Sequence, residues 1–351
     1  MKIRDYTFPL GDFHLNNLDL LLQSDALLLD IETTGFRADY QSIYMIGCGF
    51  LKENSLQIRL FYAASEDEEA EILKAALEFS SDFSSVITFN GEMFDLPFLK
   101  KRYSLHHLPD PFSSKVSTDL FKIAKKYKKW LDLSHYNQKT LEQFFGLFRE
   151  DQYDGGRLIE VYKRQASSPS SSDEELLFLH NMEDVKGMVS LLPLREFSLL
   201  DRPEFEEVTL DTSHEKELLF LGKLKQKTNL HLRRKTDYVF LQIEEEDYRA
   251  VIRPYCGKLK YFYPDYKNYV YIPDEHLLLP KVLASSIDKS RQVKATKENC
   301  FTEKEGYFLP NILHGDEREF KESAKDKQTF VEIDPKGLSE NYICEFLKAY
   351  V

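Results

Sequence analysis

The segment Leu27-Leu-Leu-Asp-Ile-Glu-Thr-Thr-Gly-Phe36 decides the fold of the first half of this chain. Its three leucines indicate a buried strand, and two carboxylates, Asp30 and Glu32, follow within the same strand. Because strand side chains alternate between two faces, both carboxylates point to one side of the sheet. Paired acids on a central strand are costly unless a cation compensates them, and such oxygen ligands suit Mg²⁺ or Mn²⁺. The segment therefore predicts a divalent-metal site followed by a tight turn; the alternative is a pair of exposed acids that end an edge strand.

Two further segments carry acids whose positions fit the same site. After a short apolar strand, Asn90-Gly91 predicts a turn, and a helix start carries Asp95 inward. A helix predicted over residues 172–185 places His180 and Asp184 four residues apart, on one face. Taken singly, Asp95 could be a helix-start acid, His180 a core histidine and Asp184 a solvated acid. The three segments together are far more specific than any one of them.

Their order and approximate spacing resemble the three exonuclease motifs of the DEDD superfamily: Asp-x-Glu, then Asn-Gly-x-x-x-Asp, then His-x-x-x-Asp. Members of that superfamily are ribonuclease-H-like 3′→5′ exonucleases. The stretch before the third motif also resembles the bacterial YprB-like ribonuclease-H-like family. The matching residues are Thr140-Leu-Glu142, Phe145-Gly146, Arg149-Glu-Asp151, Asp154-Gly-Gly156 and Tyr162. The resemblance covers residues 20–195, a little over half of the chain.

This resemblance implies a fold and a catalytic site. The fold is α/β, a ribonuclease-H-like mixed sheet flanked by helices. In the site, two divalent cations, Mg²⁺ or Mn²⁺, lie about 3.5–4 Å apart and assist in-line attack of water on a phosphodiester. The four residues that hold them are Asp30, Glu32, Asp95 and Asp184.

The resemblance also implies a substrate and a way of binding it. The predicted partner is nucleic acid, single-stranded or at a 3′ end, from which 5′-mononucleotides are released. The turn formed by Thr33, Thr34 and Gly35 is expected to meet the terminal nucleotide, and Asn90 is expected to bind substrate as well. DNA and RNA are not distinguished by these residues.

His180 departs from the pattern of the superfamily. The superfamily divides into members with a tyrosine four residues before the last aspartate and members with a histidine five residues before it. Here a histidine occupies the tyrosine spacing. An imidazole titrates near neutral pH and can serve as a general base, so we predict that His180 takes the proton of the attacking water.

Composition sets the broad class of this protein. Its 351 residues suit two domains, and 42% hydrophobic residues are ample for a core. No apolar run approaches the ~18 residues of a membrane span, and residues 1–5 lack the apolar stretch of a signal peptide. The four cysteines have no paired spacing, so we expect a reduced, cytoplasmic protein without a membrane partner. A net charge of −12 argues against a general nucleic-acid binder.

The charge is unevenly distributed along the chain. Residues 100–139 contain ten basic residues and three acids, a local surplus of seven positive charges. A positive patch beside a metal site is what a phosphate backbone needs, and the alternative is a solvated helix face. From this segment we predict four further substrate-binding residues, Lys125, Lys126, Lys128 and Lys129.

The pattern of elements predicts two domains with different architectures. We expect an N-terminal extension over residues 1–20, the ribonuclease-H-like domain over 21–195, a linker over 196–211 and a smaller β-rich (α+β) domain over 212–351. Alternating apolar residues between 230 and 252 predict an antiparallel meander. Residues 255–271 hold six tyrosines interleaved with lysines, which suits stacking on single-stranded nucleic acid or simply strands packing on one another.

The sequence therefore favours a metal-dependent 3′→5′ exonuclease and leaves two alternatives open. The first is a nucleic-acid-binding or scaffolding protein with a weak or vestigial nuclease site, which the unusual position of His180 favours. The second is a structure-specific endonuclease, because two-metal chemistry does not itself require a free end.

Overall fold

The computed structural model of the protein describes residues 1–16, 18–149, 155–313, 315 and 318–350. The chain divides into two compact units. Unit 1 comprises residues 1–198 and 228–230, and unit 2 comprises residues 199–227 and those from 231 onwards. Three residues that contributed to the resemblance, Glu150, Asp151 and Asp154, lie outside the described residues.

Unit 1 is built on a six-stranded mixed sheet with the strand order β1-β4-β3-β2-β5-β6. Strands β1 to β4 pair in antiparallel fashion, whereas β2, β5 and β6 run parallel. The strands are β1 (Lys2–Pro9), β2 (Ala26–Thr33), β3 (Ile43–Lys52), β4 (Ser55–Tyr62), β5 (Ser85–Thr88) and β6 (Val116–Asp119). The helices are α1 (Leu18–Leu21), α2 (Glu69–Ser80), α3 (Asp95–Leu105), α4 (Leu120–Lys126), α5 (Lys128–Leu131), α6 (Gln138–Phe144), α7 (Gly155–Ser167) and α8 (Ser171–Ser190). This arrangement confirms the ribonuclease-H-like mixed sheet flanked by helices.

Two strands of this sheet were not expected from the sequence. β1 lies in the predicted N-terminal extension, yet it pairs with β4 along its whole length and forms one edge of the sheet. It is largely exposed, so it lacks the apolar pattern of a buried strand. β6 has only four residues, and its sequence, Val-Ser-Thr-Asp, has too few apolar residues to indicate a strand. Both strands owe their conformation to pairing with a neighbour.

The central strand β2 separates the hydrophobic core from the site. Leu27, Leu29 and Ile31 point to the face covered by α2 and α3, where they join the core with residues such as Ile72 and Leu99. Asp30 and Glu32 alternate with them and therefore point to the opposite face. That face is the one over which α8 packs.

α8 lies close to the sheet because a glycine on β3 leaves room for it. Gly47 is paired with Asp30 across the β2–β3 ladder. A Cβ atom at Gly47 would overlap the amide oxygen of Asn181 and lie 2.7 Å from Cγ2 of Val185. Any larger residue would push α8 away from the sheet, so Gly47 sets the depth at which side chains of α8 meet Asp30 and Glu32.

Unit 2 is β-rich and begins earlier than the sequence suggested. Its first strand, β7 (Phe205–Asp211), lies within the predicted linker over residues 196–211. A five-stranded antiparallel sheet has the order β7-β8-β11-β10-β9, a second group closes into a barrel in the order β12-β16-β18-β17, and β14-β13-β15 form a third sheet. The elements are β8 (Leu218–Leu224), β9 (His231–Lys235), β10 (Val239–Glu244), β11 (Asp247–Ile252), β12 (Tyr255–Phe262), β13 (Tyr269–Ile272), β14 (Leu277–Pro280), β15 (Val293–Lys294), β16 (Phe301–Pro310), β17 (Phe320–Lys321), β18 (Phe330–Ile333) and α9 (Glu340–Tyr350). The predicted meander corresponds to β9, β10 and β11 and is confirmed.

None of the helices in the described part of the chain has both the length and the apolar sequence that crossing a membrane requires.

Candidate active site

The two carboxylates of β2 meet the side chains of α8. Asn181 donates a hydrogen bond of 2.6 Å from Nδ2 to Oδ2 of Asp30. Nε2 of His180 lies 3.4 Å from Oε1 of Glu32. The hydroxyl of Tyr44 donates to Oε2 of Glu32 at 3.4 Å, and the Tyr44 ring stacks on Tyr162 with centroids 4.1 Å apart. Glu32 is thus held between the helix and the buried aromatic pair.

Asp95 joins the same site from the other side of β2. The parallel pairing between β2 and β5 ends at Leu28, so the backbone N–H of Ile31 has no strand partner on that edge. Asp95, the first residue of α3, accepts a hydrogen bond from this N–H at 3.1 Å. The bond places the buried carboxyl of Asp95 beside the backbone segment that joins Asp30 to Glu32.

Asp184 and His180 complete the cluster from α8. Nε2 of His180 lies 3.0 Å from Oδ2 of Asp184, as expected for residues one helical turn apart. Ligand atoms of Glu32, His180 and Asp184 all lie within 4.8 Å of one another, close enough to share one metal ion. His180 is therefore a candidate ligand as well as a candidate base, a role that the sequence did not indicate.

The concentration of carboxylates changes their protonation. Burial raises the pKa of Asp30 well above its ordinary value, and the negative charges of Asp184, Asp95 and Glu32 raise it further. Burial raises the pKa of Asp95 to about 7, against the opposing hydrogen bond from Ile31. The protein without metal therefore holds protons on carboxyls that would be ionised in water at neutral pH.

Asp184 behaves in the opposite way. Burial alone would raise its pKa, but the neighbouring His180 and the guanidinium of Arg149 outweigh that effect and lower the pKa to about 2. Nη1 of Arg149 donates a hydrogen bond directly to Oδ1 of Asp184. Asp184 thus remains ionised throughout the physiological range.

This set of donors fits divalent cations. Hard carboxylate oxygens with an imidazole nitrogen are the ligands that Mg²⁺ and Mn²⁺ accept. The like charges that raise the pKa values of Asp30 and Asp95 are those that a bound cation would compensate. Among the described residues, Glu32, His180 and Asp184 lie close enough to share one ion, whereas Asp30 and Asp95 lie outside that group. Their role as ligands stays a prediction.

A buried ion-pair network, formed by Arg149 and Glu142, contacts Asp184. Arg149 is 4% exposed and pairs with both Asp184 and Glu142, and Glu142 has no solvent exposure. Gln138 donates hydrogen bonds from Nε2 to Oε1 of Glu142 at 2.9 Å and to the carbonyl oxygen of Asp184 at 2.7 Å. A Cβ atom at Gly187 would overlap the Glu142 carboxylate, so glycine is required there. Glu142 and Arg149 belong to the stretch that carries the family resemblance, and no local pattern in the sequence indicates that they form an ion pair.

The predicted substrate turn is an internally bonded structure. The hydroxyl of Thr33 donates to the carbonyl oxygen of Gly35 at 2.7 Å, and the hydroxyl of Thr34 accepts from the backbone of Ser42 at 3.0 Å. All three turn residues are buried, whereas Phe36, which follows them, is 80% exposed. The turn therefore presents an aromatic side chain rather than two hydroxyls.

Asn90 and Asp119 organise the loop that leads to Asp95. Asn90 has a left-handed backbone with φ of 64°. Its N–H donates to Oδ1 of Asp119 at 2.9 Å, and the N–H of Glu92 donates to Oδ2 at 3.1 Å. Asp119 also accepts hydrogen bonds from the first N–H groups of α4, so its carboxylate caps that helix and holds this loop. Met93 in the same loop is 80% exposed.

The predicted basic segment does not form a single surface. Arg102 pairs with the buried Glu69, and Lys115 donates to the backbone carbonyls of Ser80 and Phe83. α4 adjoins the Asn90 loop, because Lys122 pairs with Glu92 at 2.9 Å. The four lysines assigned to substrate binding are exposed on α4 and α5 beyond Lys122, namely Lys125, Lys126, Lys128 and Lys129. Their contact with substrate stays a prediction.

The comparisons with known proteins agree with this fold. Residues 27–194 match the family RNase_H_2, described as RNase_H superfamily. No curated protein matches the chain. Among solved structures, similarity is found to the family B DNA polymerase of the hyperthermophilic archaeon Pyrobaculum calidifontis, at 13% identity and a TM-score of 0.41, over 73% of this chain and 39% of the polymerase.

Two other solved structures show similarity at comparably low sequence identity. E. coli exonuclease I in complex with a dT13 oligonucleotide shares 10% identity over 63% of this chain and 55% of that chain, with a TM-score of 0.33. Brucella melitensis NrnC shares 15% identity over 53% of this chain and 90% of that chain, with a TM-score of 0.26. TM-scores this low carry no functional inference. The match over residues 27–194 and the mixed sheet together show that this part of the chain has a ribonuclease-H-like fold.

Proposed function

We propose that this protein is a divalent-metal-dependent 3′→5′ exonuclease that hydrolyses phosphodiester bonds of DNA or RNA. One observation carries the proposal: carboxylates from β2, α3 and α8 gather around residues 30–32 of the central strand, and His180 contacts two of them, Glu32 and Asp184. A structural role does not require so many buried acids, since each has to be desolvated and they repel one another. Metal-assisted phosphoryl chemistry does require them.

The chain's own residues have separate tasks in this proposal. Two bound Mg²⁺ or Mn²⁺ ions would stabilise the charge that develops on the phosphate and on the leaving oxygen. Asn181 and the N–H of Ile31 orient the carboxylates of Asp30 and Asp95. His180 takes the proton of the attacking water, for which its Nε2, between Asp184 and Glu32, has a suitable position.

Exposed apolar side chains beside the site supply a surface for the terminal base. The ring of Phe36 lies 6.3 Å from that of Phe94, which adjoins Met93 and precedes the ligand Asp95. Phe36 and Met93 are both 80% exposed, so both side chains are open to contact with a ligand. We propose that they contact the nucleotide at the 3′ end, while the backbone of the turn at residues 33–35 contacts its phosphate.

Digestion of end-labelled substrates tests the proposal. Single- and double-stranded DNA and RNA are incubated with Mg²⁺ or Mn²⁺, and products of a 5′-labelled strand are resolved by length. We expect a ladder that shortens from the 3′ end, 5′-mononucleotides as product, and loss of activity by several orders of magnitude in Asp30→Ala and Asp184→Asn. Cleavage of a circular single strand would identify an endonuclease instead. Near wild-type turnover in either variant would refute the site.

One observation favours the alternative of a weak or vestigial nuclease. Arg149 already neutralises much of the charge on Asp184, so the site attracts a second cation less strongly than four free carboxylates would. Calorimetric titration with Mn²⁺ distinguishes the two functions. A stoichiometry of two together with turnover supports the exonuclease, whereas one ion or none, with oligonucleotide binding but no cleavage, supports a binding protein.

A further inference from the structure

Unit 2 carries two adjoining depressions on its surface. The first has a volume of about 460 Å³ and lies beside β12 and β17. The second, of about 570 Å³, lies beside β13 and β15. Tyr266 and Lys297 line both of them, so the two depressions are neighbours, and we call the pair the groove.

Tyrosine rings form much of the apolar lining of this groove. Tyr261 and Tyr263 are two residues apart at the end of β12 and therefore share a face. Their ring centroids are 5.1 Å apart, and Tyr263 lies 4.9 Å from Tyr269 on β13. Together with Tyr266 these rings are half-buried, with part of each ring open to solvent. They form a row of partly exposed rings, in which Tyr261 and Tyr263 meet edge to face.

The rest of the lining is strongly cationic. Among the described residues that line the groove, six are basic and two, Glu298 and Glu319, are acidic, in a chain whose net charge is −12. The basic residues are Lys267, Lys281, Lys294, Lys297, Arg318 and Lys321.

These cations are not used in ion pairs. Within the described residues, none of the six pairs with a carboxylate. Arg318 instead lies 5.3 Å above the ring of Tyr261. Elsewhere on unit 2 such pairs are common, as in Lys223 with Glu207 at 3.5 Å and Lys304 with Glu332 at 2.6 Å. The groove therefore keeps its positive charge available for an anion.

We propose that this groove is a second binding site for single-stranded nucleic acid. Bases stack on aromatic rings in a way that tolerates any sequence, and lysines or arginines beside the rings neutralise the phosphates. A duplex hides its base faces and would use only the charges, and an acidic peptide would not need the row of rings. The site lies wholly within unit 2 and does not depend on nuclease activity.

Fluorescence anisotropy with the full chain tests this proposal. The probe is a fluorescein-labelled oligothymidylate of about 16 nucleotides, and EDTA prevents both metal binding and cleavage. We expect Tyr266→Ala to weaken binding about tenfold with an unchanged salt dependence, because one stacked base is lost. Lys297→Ala should weaken binding and reduce the slope of log Kd against log salt by about 0.7.

Two matched controls lie outside the groove. Tyr307→Ala removes a half-buried tyrosine, and Lys258→Ala removes a lysine that faces Glu305 at 3.8 Å. Both should leave Kd unchanged, and circular dichroism checks that all variants fold. Tyr266 and Lys297 lie on surface loops, so their replacement should not impair folding.

Two results would overturn the proposal. One is an affinity for the oligonucleotide that Tyr266→Ala leaves unaltered, since the rings would then not stack on bases. The other is equally tight binding of a duplex of the same length, since charge alone would account for that. A failure to observe cleavage in the presence of metal would contradict the proposed nuclease activity. It would not change the oligonucleotide affinity or its salt dependence, both of which are measured in EDTA.

Discussion

His180 faces two carboxylates with one ring nitrogen, at 3.0 Å from Asp184 and 3.4 Å from Glu32. This geometry admits two roles, a general base or a metal ligand. The two roles differ in what the loss of the imidazole does to metal affinity and to the pH dependence of the rate. A histidine at this position is also the feature that separates the sequence from both branches of the superfamily that it resembles.

We predict that His180→Ala loses activity about a hundredfold or more and also loses the acidic limb of the pH–rate profile, because no base remains to be protonated. Metal affinity should change little, since the four carboxylates remain. The measurement is a pH–rate profile at saturating Mn²⁺, with Mn²⁺ affinity measured by calorimetry. His180→Tyr restores the commoner residue at this spacing and should shift the profile instead of abolishing it.

Two other results for His180→Ala would each contradict the role of general base. A large fall in Mn²⁺ affinity with an unchanged profile would identify His180 as a ligand. Full rate with the wild-type profile would make it structural, and the general-base role would be wrong.

Arg149 is the residue whose loss should affect both stability and the site. We predict that Arg149→Met destabilises the protein by about 3–5 kcal/mol, because the buried charge of Glu142 loses its ion-pair partner. Adding Glu142→Gln should restore much of that stability, since the double variant leaves no uncompensated charge at residue 142. The measurement is urea unfolding of both variants.

Arg164→Met provides the matched control, because Arg164 is 57% exposed and pairs with Asp173 on the surface. Its cost should be about 0–1 kcal/mol. If the double variant is as unstable as Arg149→Met alone, the network acts through packing of the arginine and not through charge.

At the scale of elements, α8 and β2 build most of the site. The period of two along β2 separates core residues from ligands, and the period of the helix places Asn181 over Asp30 and His180 over Glu32. Gly47 allows the helix to come close enough for these contacts. The sequence pattern of each element can be recognised by itself, but the site forms only where α8 packs on β2.

The helices α4 and α5 are the elements predicted to bind the phosphate backbone. Replacing Lys125, Lys126, Lys128 and Lys129 by glutamine should reduce the slope of log Kd against log salt by about 3, because fewer counterions are released. Catalysis at saturating substrate should be largely retained. The measurement is oligonucleotide affinity in EDTA over a range of salt concentrations.

The matched control replaces exposed lysines from other faces of unit 1, Lys52→Gln and Lys74→Gln. It should leave the slope unchanged. A quadruple variant with the wild-type slope would mean that the lysines of α4 and α5 are solvated and do not contact the phosphates. Lys125 has a structural use that would explain such a result, since its ammonium lies 5.5 Å from the ring centre of Phe121.

At the scale of the whole molecule, the acidic site links stability to pH and metal. The pKa of Asp95 is raised to about 7, above the value of about 4 expected in the unfolded chain, and that of Asp30 is raised as well. In this window the folded protein binds protons that the unfolded chain has released. Stability without metal therefore falls as the pH rises from about 4 to about 7.

We predict that Tm in EDTA is higher at pH 5 than at pH 8, and that Mn²⁺ raises Tm more at pH 8, where it replaces the lost protons. Asp95→Asn should flatten the pH dependence in EDTA and raise Tm at pH 8 by a few degrees, because a like charge is gone. Thermal unfolding followed by circular dichroism measures both effects. A pH dependence that is identical in Asp95→Asn and wild type would show that Asp95 is not the group responsible.

The sequence by itself determined the strand that carries Asp30 and Glu32, the helix that carries His180 and Asp184, and the meander of unit 2. These features rest on short-range periodicity, which a chain carries whatever its surroundings. The mixed sheet followed from three motifs in order, and the fold class is confirmed. The grouping of the acids was also anticipated, although their assignment as metal ligands stays a prediction.

Features that depend on contacts between residues distant in sequence could be seen only in the three-dimensional structure. β1 is a strand because β4 supplies its hydrogen bonds, and its exposed edge position leaves no apolar pattern to read. Asn181 reaches Asp30 across 151 positions and Arg149 reaches Asp184 across 35, and no local rule predicts such pairs. The tyrosines of residues 255–271 were ambiguous for the same reason. Only packing shows whether an aromatic ring is buried against a neighbour or left open beside an unpaired cation.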